Sequence, residues 1–545
     1  MFKLDGESLP REALKPNRRA DVATQALNRT EFVSPIDEQK SPRLDEKQIG
    51  SLRHIGNLAR QLPNDWAHMM GPSYLGGDFA AFRYQLAFMA YALGLAHFHR
   101  LPAAPGVFKQ TFEKLIEKMM IPEVWYYWRD VSVGGGIFNH EAGLAEPQTD
   151  PIAKDNIMYS AYLQSMSLMY NVLFADDRYA QPGALTLKFN PLFYHPIEGY
   201  NFEYDQNSIN ERVYWNMVES GYLGVACEPH CVFLACNQPA ILGFRFHDVL
   251  NGGAIAEEVT EGFLRAWDEF GGLLDDRGNY KSLMLTHKQQ IIPGLDAWSD
   301  GWTGLLMNAW RPEFVKEHYK NQVERWLVRR QDGLMTIELP PERVHPDISP
   351  GHACGMGWLA AWASEMGDRE TVEGLLAYAD THMAPEWNRG GYMYPRKDQE
   401  YDAEGNLVVM NPFQSNALFP YARLNVPNGM HLLYSQPWGA AHFDEPALTE
   451  VDFSIDLLRA CYDDTTGTLL FDPALSANKK PADIVISRVF DRGDWTLSRD
   501  GDVLARGSSP GILERQSGLI SQDADRLRLT IDHHHPMAYR IVWAR

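Results

Sequence analysis

Residues 227–236 read CEPHCVFLAC and place three of the chain's five cysteines within ten positions. Such a run permits metal ligation, a disulfide, core packing or proton transfer. Zinc knuckles usually come as paired CxxC sets, whereas here the cysteines follow at intervals of four and five with no second knuckle, so no metal is expected. Pro229 is expected to open a helix, and cysteines four or five apart along it share a face without good bridge geometry, so no disulfide is expected either. A free cysteine is most simply a small hydrophobe, the reading given to Cys231, Cys354 and Cys461. Cys227 and Cys236 differ in their surroundings. Cys227 falls at the expected loop-to-helix junction, where helix N–H groups favour a thiolate, and Glu228 adjoins it. Cys236 follows about two and a half turns later, beside Asn237. Two thiols on one cavity wall could act as acid and base on a substrate without strong charges.

Paired carboxylates are the other route to acid–base chemistry, above all on sugars. Asp78, Glu141, Glu228, Asp296 and Asp300 are the candidates. Segments expected to line a cavity also carry Trp125, Trp128, Trp298, Trp302, Trp387 and Tyr392, which could stack on sugar faces or enclose a hydrocarbon. Composition does not separate these readings. The triple histidine at 533–535 reads as solvated surface.

These residues need elements to position them. From about 48 to 440, loops rich in Gly, Pro, Asp and Asn lead into apolar stretches at 78–98, 156–174, 230–250, 299–310, 352–366 and 414–424. Charged segments with apolar residues at three- and four-residue spacing follow several of them, at 108–120, 254–270, 313–328 and 370–383. Six apolar inner helices and an amphipathic outer set predict an all-α fold, an (α/α)6 barrel, with an open helical array as the alternative. Loops before the inner helices would then converge on a central cavity. Residues 1–47 read as an extended arm, 48–440 as the catalytic barrel, and 445–545, with short alternating runs and Asp-Gly and Gly-Ser turns, as a small antiparallel β appendage.

The 545 residues are 45% hydrophobic and carry a net charge of −21, enough apolar material for a large core and the wrong sign for a nucleic acid partner or a basic membrane patch. No segment reaches the ~18 apolar residues of a membrane span, the N-terminus shows no apolar signal core, and five irregular cysteines suit a reducing compartment. A cytoplasmic location is expected.

Three motifs resemble the linalool dehydratase/isomerase family. CEPHCVFLAC before Asn237 is similar to the family's CEP start with a second cysteine nine positions on. Asp78 and Tyr84 in GGDFAAFRYQ match its Asp and Tyr pair, and DNIMYSAYL matches the segment carrying a Met, here Met158, and four residues later a His, here Tyr162. The resemblance implies an (α/α)6 barrel and a homo-oligomer, possibly of five subunits with the active site at an interface to which a neighbour lends the Asp and Tyr pair. It also implies a lyase or isomerase without cofactor or metal, dehydrating or isomerising a terpenoid or related alkenol. Cys227, Cys236, Asp78, Tyr84 and Tyr162 would be catalytic, with Met158, Glu228, Trp298, Trp302 and Tyr392 around the substrate. A protonation-initiated terpenoid cyclase, a carbohydrate-active barrel using carboxylates and a non-catalytic binding barrel remain alternatives.

Overall fold

The computed structural model describes residues 41–69, 81–190, 198–294, 296–339, 355–509, 511–515 and 518–544. Asp78 and Cys354 lie outside them. The helical part is built from α1 (Glu46–Ala59), α2 (Phe82–His99), α3 (Pro105–Met119), α4 (Ile157–Phe174), α5 (Gln206–Glu219), α6 (Gln238–Asn251), α7 (Ile255–Asp268), α8 (Ala297–Met307), α9 (Pro312–Trp326), α10 (Gly355–Met366), α11 (Arg369–His382) and α12 (Phe419–Leu424), the last preceded by the π turn Gln414–Leu418. Helices α2, α4, α6, α8, α10 and α12 pack side by side and close on themselves as an inner ring. Each inner helix also packs against an outer one, α3, α5, α7, α9, α11 and, for α12, the N-terminal α1.

Burial explains the two layers. Every residue of α4 and of α8 is buried, so these helices carry apolar side chains all round, while α7 and α9 bury a single stripe. Inner helices approach closely where a glycine removes the side chain: a Cβ at Gly304 of α8 would run into the Trp362 indole of α10. Gly304→Ala is expected to lower stability by about 1–3 kcal/mol through overpacking, read as a reduced urea midpoint with an unchanged m-value.

The all-α expectation is overturned: 43% of the residues are helical and 20% lie in strands. The β-rich region after the ring is no small appendage but ten strands between Ala447 and Trp543, in antiparallel sheets of four and six strands. Their alternating burial, as in Arg526–Ile531, presents one face to a core continuous with that of the ring. This region is fixed to the outer layer. Arg53 of α1 reaches the Phe453 carbonyl, Asp456 and, at 2.7 Å, the Ser476 hydroxyl, and Leu448 N–H donates to the Ala103 carbonyl at 2.8 Å. Composition showed the change to strands, but their number depended on counting runs as short as four residues, such as Ile520–Asp523.

Candidate active site

The cysteine run does not form the expected helix. Cys231 N–H donates to the Glu228 carbonyl at 2.9 Å, with Pro229 second in the turn and His230 third at φ 69°, the pattern of a type II turn. Cys227 N–H then bonds to the Cys231 carbonyl at 2.9 Å, and Cys231–Phe233 continues as a strand paired with Leu283–Leu285. Helix α6 starts only at Gln238, with Pro239 in its first turn. Proline suits both a helix start and the second position of a turn, and here the turn prevails.

This reversal brings the two thiols together. Cys227 and Cys236 are both buried, and their side chains lie close enough to act on each other's ionisation. Asn237 holds the loop from inside: its side chain accepts from Val225 N–H at 2.8 Å and donates to the Val225 and Phe233 carbonyls at 3.1 and 2.8 Å. Burial, reinforced by Cys236 and by the Glu228 carboxylate, pushes the Cys227 thiol well above its usual range, against a bond from Phe233 N–H. The expectation of a thiolate is therefore reversed: the run forms no helix start at Cys227, and burial favours the thiol. Cys231 is buried in a small cluster with Leu283 and Leu285.

Ile157 N–H donates to the Ala226 carbonyl at 3.2 Å and so sets the first turns of α4 beside Cys227. Tyr162 follows on α4, fully buried; its hydroxyl has no hydrogen-bond partner among the described residues. Burial holds its ionisation well above the normal tyrosine range, with Cys236 and Cys227 adding to the effect and Arg83 opposing it. The Tyr84 ring meets that of Tyr162 edge-on at 5.6 Å and that of Trp302 at 5.2 Å, and the Tyr84 hydroxyl donates to the Met158 sulfur at 3.4 Å. Trp302 stacks on Trp358 at 4.7 Å and lies 6.2 Å from Trp298. Cys227, Cys236, Tyr84, Tyr162, Met158, Trp298 and Trp302 thus gather near the N-terminal ends of the inner helices.

Other expected site residues lie apart. Tyr392 donates to Asp380 at 2.7 Å in a network with Arg423 between α11 and α12. Trp387 is about half exposed beside it, and Trp125 donates to the Met120 carbonyl at 2.9 Å. Glu141 is exposed and paired with Lys288. Glu228 occupies the turn itself. Asp300 is buried and accepts from Tyr280 N–H at 2.7 Å, Trp326 Nε1 at 2.8 Å and the Asn279 amide, so its oxygens are occupied in holding α8 to α9. Among the described residues no group of three His, Cys, Asp or Glu side chains could hold a metal, and no helix is long and apolar enough to cross a membrane.

Asp296 caps α8, accepting from Ala297 N–H. Burial pushes its carboxyl up to about 7, with a contribution from Asp300 and against the Ala297 bond. Folded protein therefore holds a proton there that the unfolded chain, with an ordinary carboxyl near 4, releases; this group's contribution to stability is fully present below pH 4 and is lost as pH rises through about 7. Asp296→Asn is expected to flatten that slope and to raise stability at pH 8 by up to about 4 kcal/mol, as measured by denaturation across pH.

The residue missed by sequence reasoning is the buried Arg83, which immediately precedes Tyr84 in the quoted motif; an arginine inside the apolar run AAFRYQLAFMAYALGL was its signal.

A family model described as linalool dehydratase/isomerase matches residues 83–400, more than half of the chain. Among solved structures, an inactive variant of an alpha-1,6-mannanase from Salegentibacter sp. HEL1_6 is similar at 12% identity over 70% of this chain and 99% of its own, with a TM-score of 0.41. A beta-L-arabinofuranosidase from Geobacillus stearothermophilus T6 is similar at 12% identity over 92% of this chain and 76% of its own, with a TM-score of 0.30. Likeness at this level bears on neither substrate nor mechanism.

Proposed function

Because the chain belongs to the linalool dehydratase/isomerase family, we propose that it is a cofactor-independent lyase or isomerase acting on a terpenoid or related alkenol. The observation that carries this reading is the pair of buried thiols Cys227 and Cys236, beside the unpartnered hydroxyl of Tyr162 within a wall of Tyr84, Trp302 and Trp298. A buried hydroxyl without a partner costs about 1–3 kcal/mol, which a substrate oxygen can recover by accepting its proton.

Elimination from an allylic alcohol needs an acid for the departing hydroxyl and a base for a proton on the neighbouring carbon. A sulfur of this pair, once deprotonated, can serve as the base. Tyrosine hydroxyls supply the donors on the oxygen side. Aromatic faces enclose the isoprenoid chain and stabilise positive character on the allylic carbons, worth about 0.5–2 kcal/mol per ring. A homo-oligomer, with five subunits as one form, and a cytoplasmic location belong to the same proposal.

The test is product formation from linalool, geraniol and longer prenyl alcohols by the wild-type protein, followed by gas chromatography. Dienes, or the isomeric alcohol, in amounts that depend on Cys227 and Cys236 are expected. Turnover of none of them, or full activity without either thiol, overturns the reading.

A further inference from the structure

Asn139 is only 3% exposed although it belongs to the loop 133–145, which the Ala145 N–H closes on the Val133 carbonyl at 2.8 Å. Its amide nitrogen donates to the Pro229 carbonyl at 2.7 Å, and its amide oxygen accepts from Gly136 N–H at 2.7 Å. Two neighbouring contacts seat the loop against the strands that carry the cysteine run. Phe138 packs on the cluster of Cys231, Leu283 and Leu285, with its ring 6.2 Å from that of Phe233, and Glu141 is paired with Lys288. The Asn139 side chain is thereby held in place at the turn 228–231.

The Pro229 carbonyl belongs to the central peptide of that turn. Types I and II differ chiefly in how this peptide is oriented: rotating it reverses the carbonyl and moves the third position between negative and positive φ. Type II favours glycine or asparagine at the third position, and the residue there is His230, at φ 69°. Local preference therefore runs against the turn observed. Its arms are fixed from outside the peptide, by Cys227 N–H on the Cys231 carbonyl at 2.9 Å and by Thr286 N–H on the His230 carbonyl at 3.0 Å. Asn139 fixes the peptide itself, because its N–H group stands where the Pro229 carbonyl points in type II and would lose its acceptor in type I.

We propose that Asn139 is the positioning residue of the thiol site, latching the strained turn in the form that sets Cys227 beside Cys236; this deepens the alkenol reading and rests on it. Cys227 precedes the turn and Cys236 follows on its other arm, so the twist between the arms decides how the two sulfurs meet. Turn type sets that twist. Displacement of a reacting group by about 1 Å costs up to about 10²-fold in rate, so a bond that touches neither sulfur governs the base through backbone geometry. Strain of this kind at a site persists only where the surroundings impose it, and Asn139 supplies that constraint.

The test uses Asn139→Asp, which keeps the acceptor for Gly136 N–H and removes the donor to Pro229, together with His230→Gly, which lets the third position take positive φ without cost. On linalool and geraniol, Asn139→Asp is expected to lower kcat by roughly 10-fold with little change in KM. The double variant should regain most of that loss, since a Pro-Gly pair holds type II without a latch. Urea denaturation of the same four proteins gives a readout without substrate: Asn139→Asp should lower the midpoint more when position 230 is histidine than when it is glycine. Equal midpoint shifts in the two backgrounds, wild-type kcat in Asn139→Asp, or no rescue by His230→Gly overturns the latch. Unequal shifts with turnover of neither alcohol uphold the latch and overturn the alkenol reading instead. If Asn139→Asp does not fold, Asn139→Ser, too short to reach Pro229, replaces it with the same expected direction.

Discussion

Cys227→Ala and Cys236→Ala are each expected to lower turnover of an accepted alkenol by about 10²- to 10⁴-fold, the range supplied by a positioned acid or base. The two sulfurs act on each other as one unit, so removing either destroys the pair, and the double variant should be scarcely slower than the worse single one. The pH dependence has a defined sign. Burial and the facing Cys236 hold the Cys227 thiol well above the usual range, so the anionic form grows only with rising pH. Turnover should therefore climb through pH 9 in wild type and lose that dependence in both variants. Initial rates between pH 6 and 10 check this, and a rate that falls above pH 8 contradicts a sulfur base. Unchanged far-ultraviolet circular dichroism in the variants shows that chemistry, not folding, has been lost.

Trp302→Ala is expected to cost about 3–5 kcal/mol of stability, the range for emptying a buried aromatic site. Trp302 lies on α8 at the centre of the aromatic wall, stacked on Trp358 of α10 and edge-on to Tyr84 and Phe88 of α2, so it joins three of the six inner helices. Its indole N–H has no partner among the described residues, and truncation therefore breaks no hydrogen bond. The loss should come from packing alone. Trp302→Phe, which keeps ring contact, should cost less than half as much in urea denaturation. An alanine variant as stable as wild type would mean that the inner helices collapse around the gap.

How much of this was legible in sequence follows from the reach of each signal. Inner helices such as α2 and α4 are apolar on every face, and the amphipathic stripes of α7 and α9 are periodic, so local sequence marked them as helices. The outer helices α1 and α5 were not singled out: α5 in particular begins QNSINER and offers a weaker apolar pattern. Cysteine spacing and the motifs carrying Tyr84, Met158 and Tyr162 pointed to one site, because residue type and interval are local properties and the family match over 83–400 agrees with the resemblance they carry.

Sequence by itself determined that Tyr84, Met158, Tyr162, Trp298 and Trp302 sit on apolar helices, and that the chain belongs with the linalool dehydratase/isomerase family. Tertiary structure alone decided their meaning. Pro229 is compatible with a helix start and with a turn, and strand pairing of Cys231–Phe233 with Leu283–Leu285, some fifty residues away, selects the turn that faces Cys227 toward Cys236. Burial, a sum over distant neighbours, turned the thiolate expected at Cys227 into a thiol held well above its usual range. The contacts of Arg83 also became visible only when α2 met α4 and set its guanidinium against the Tyr84 hydroxyl and the Met158 sulfur.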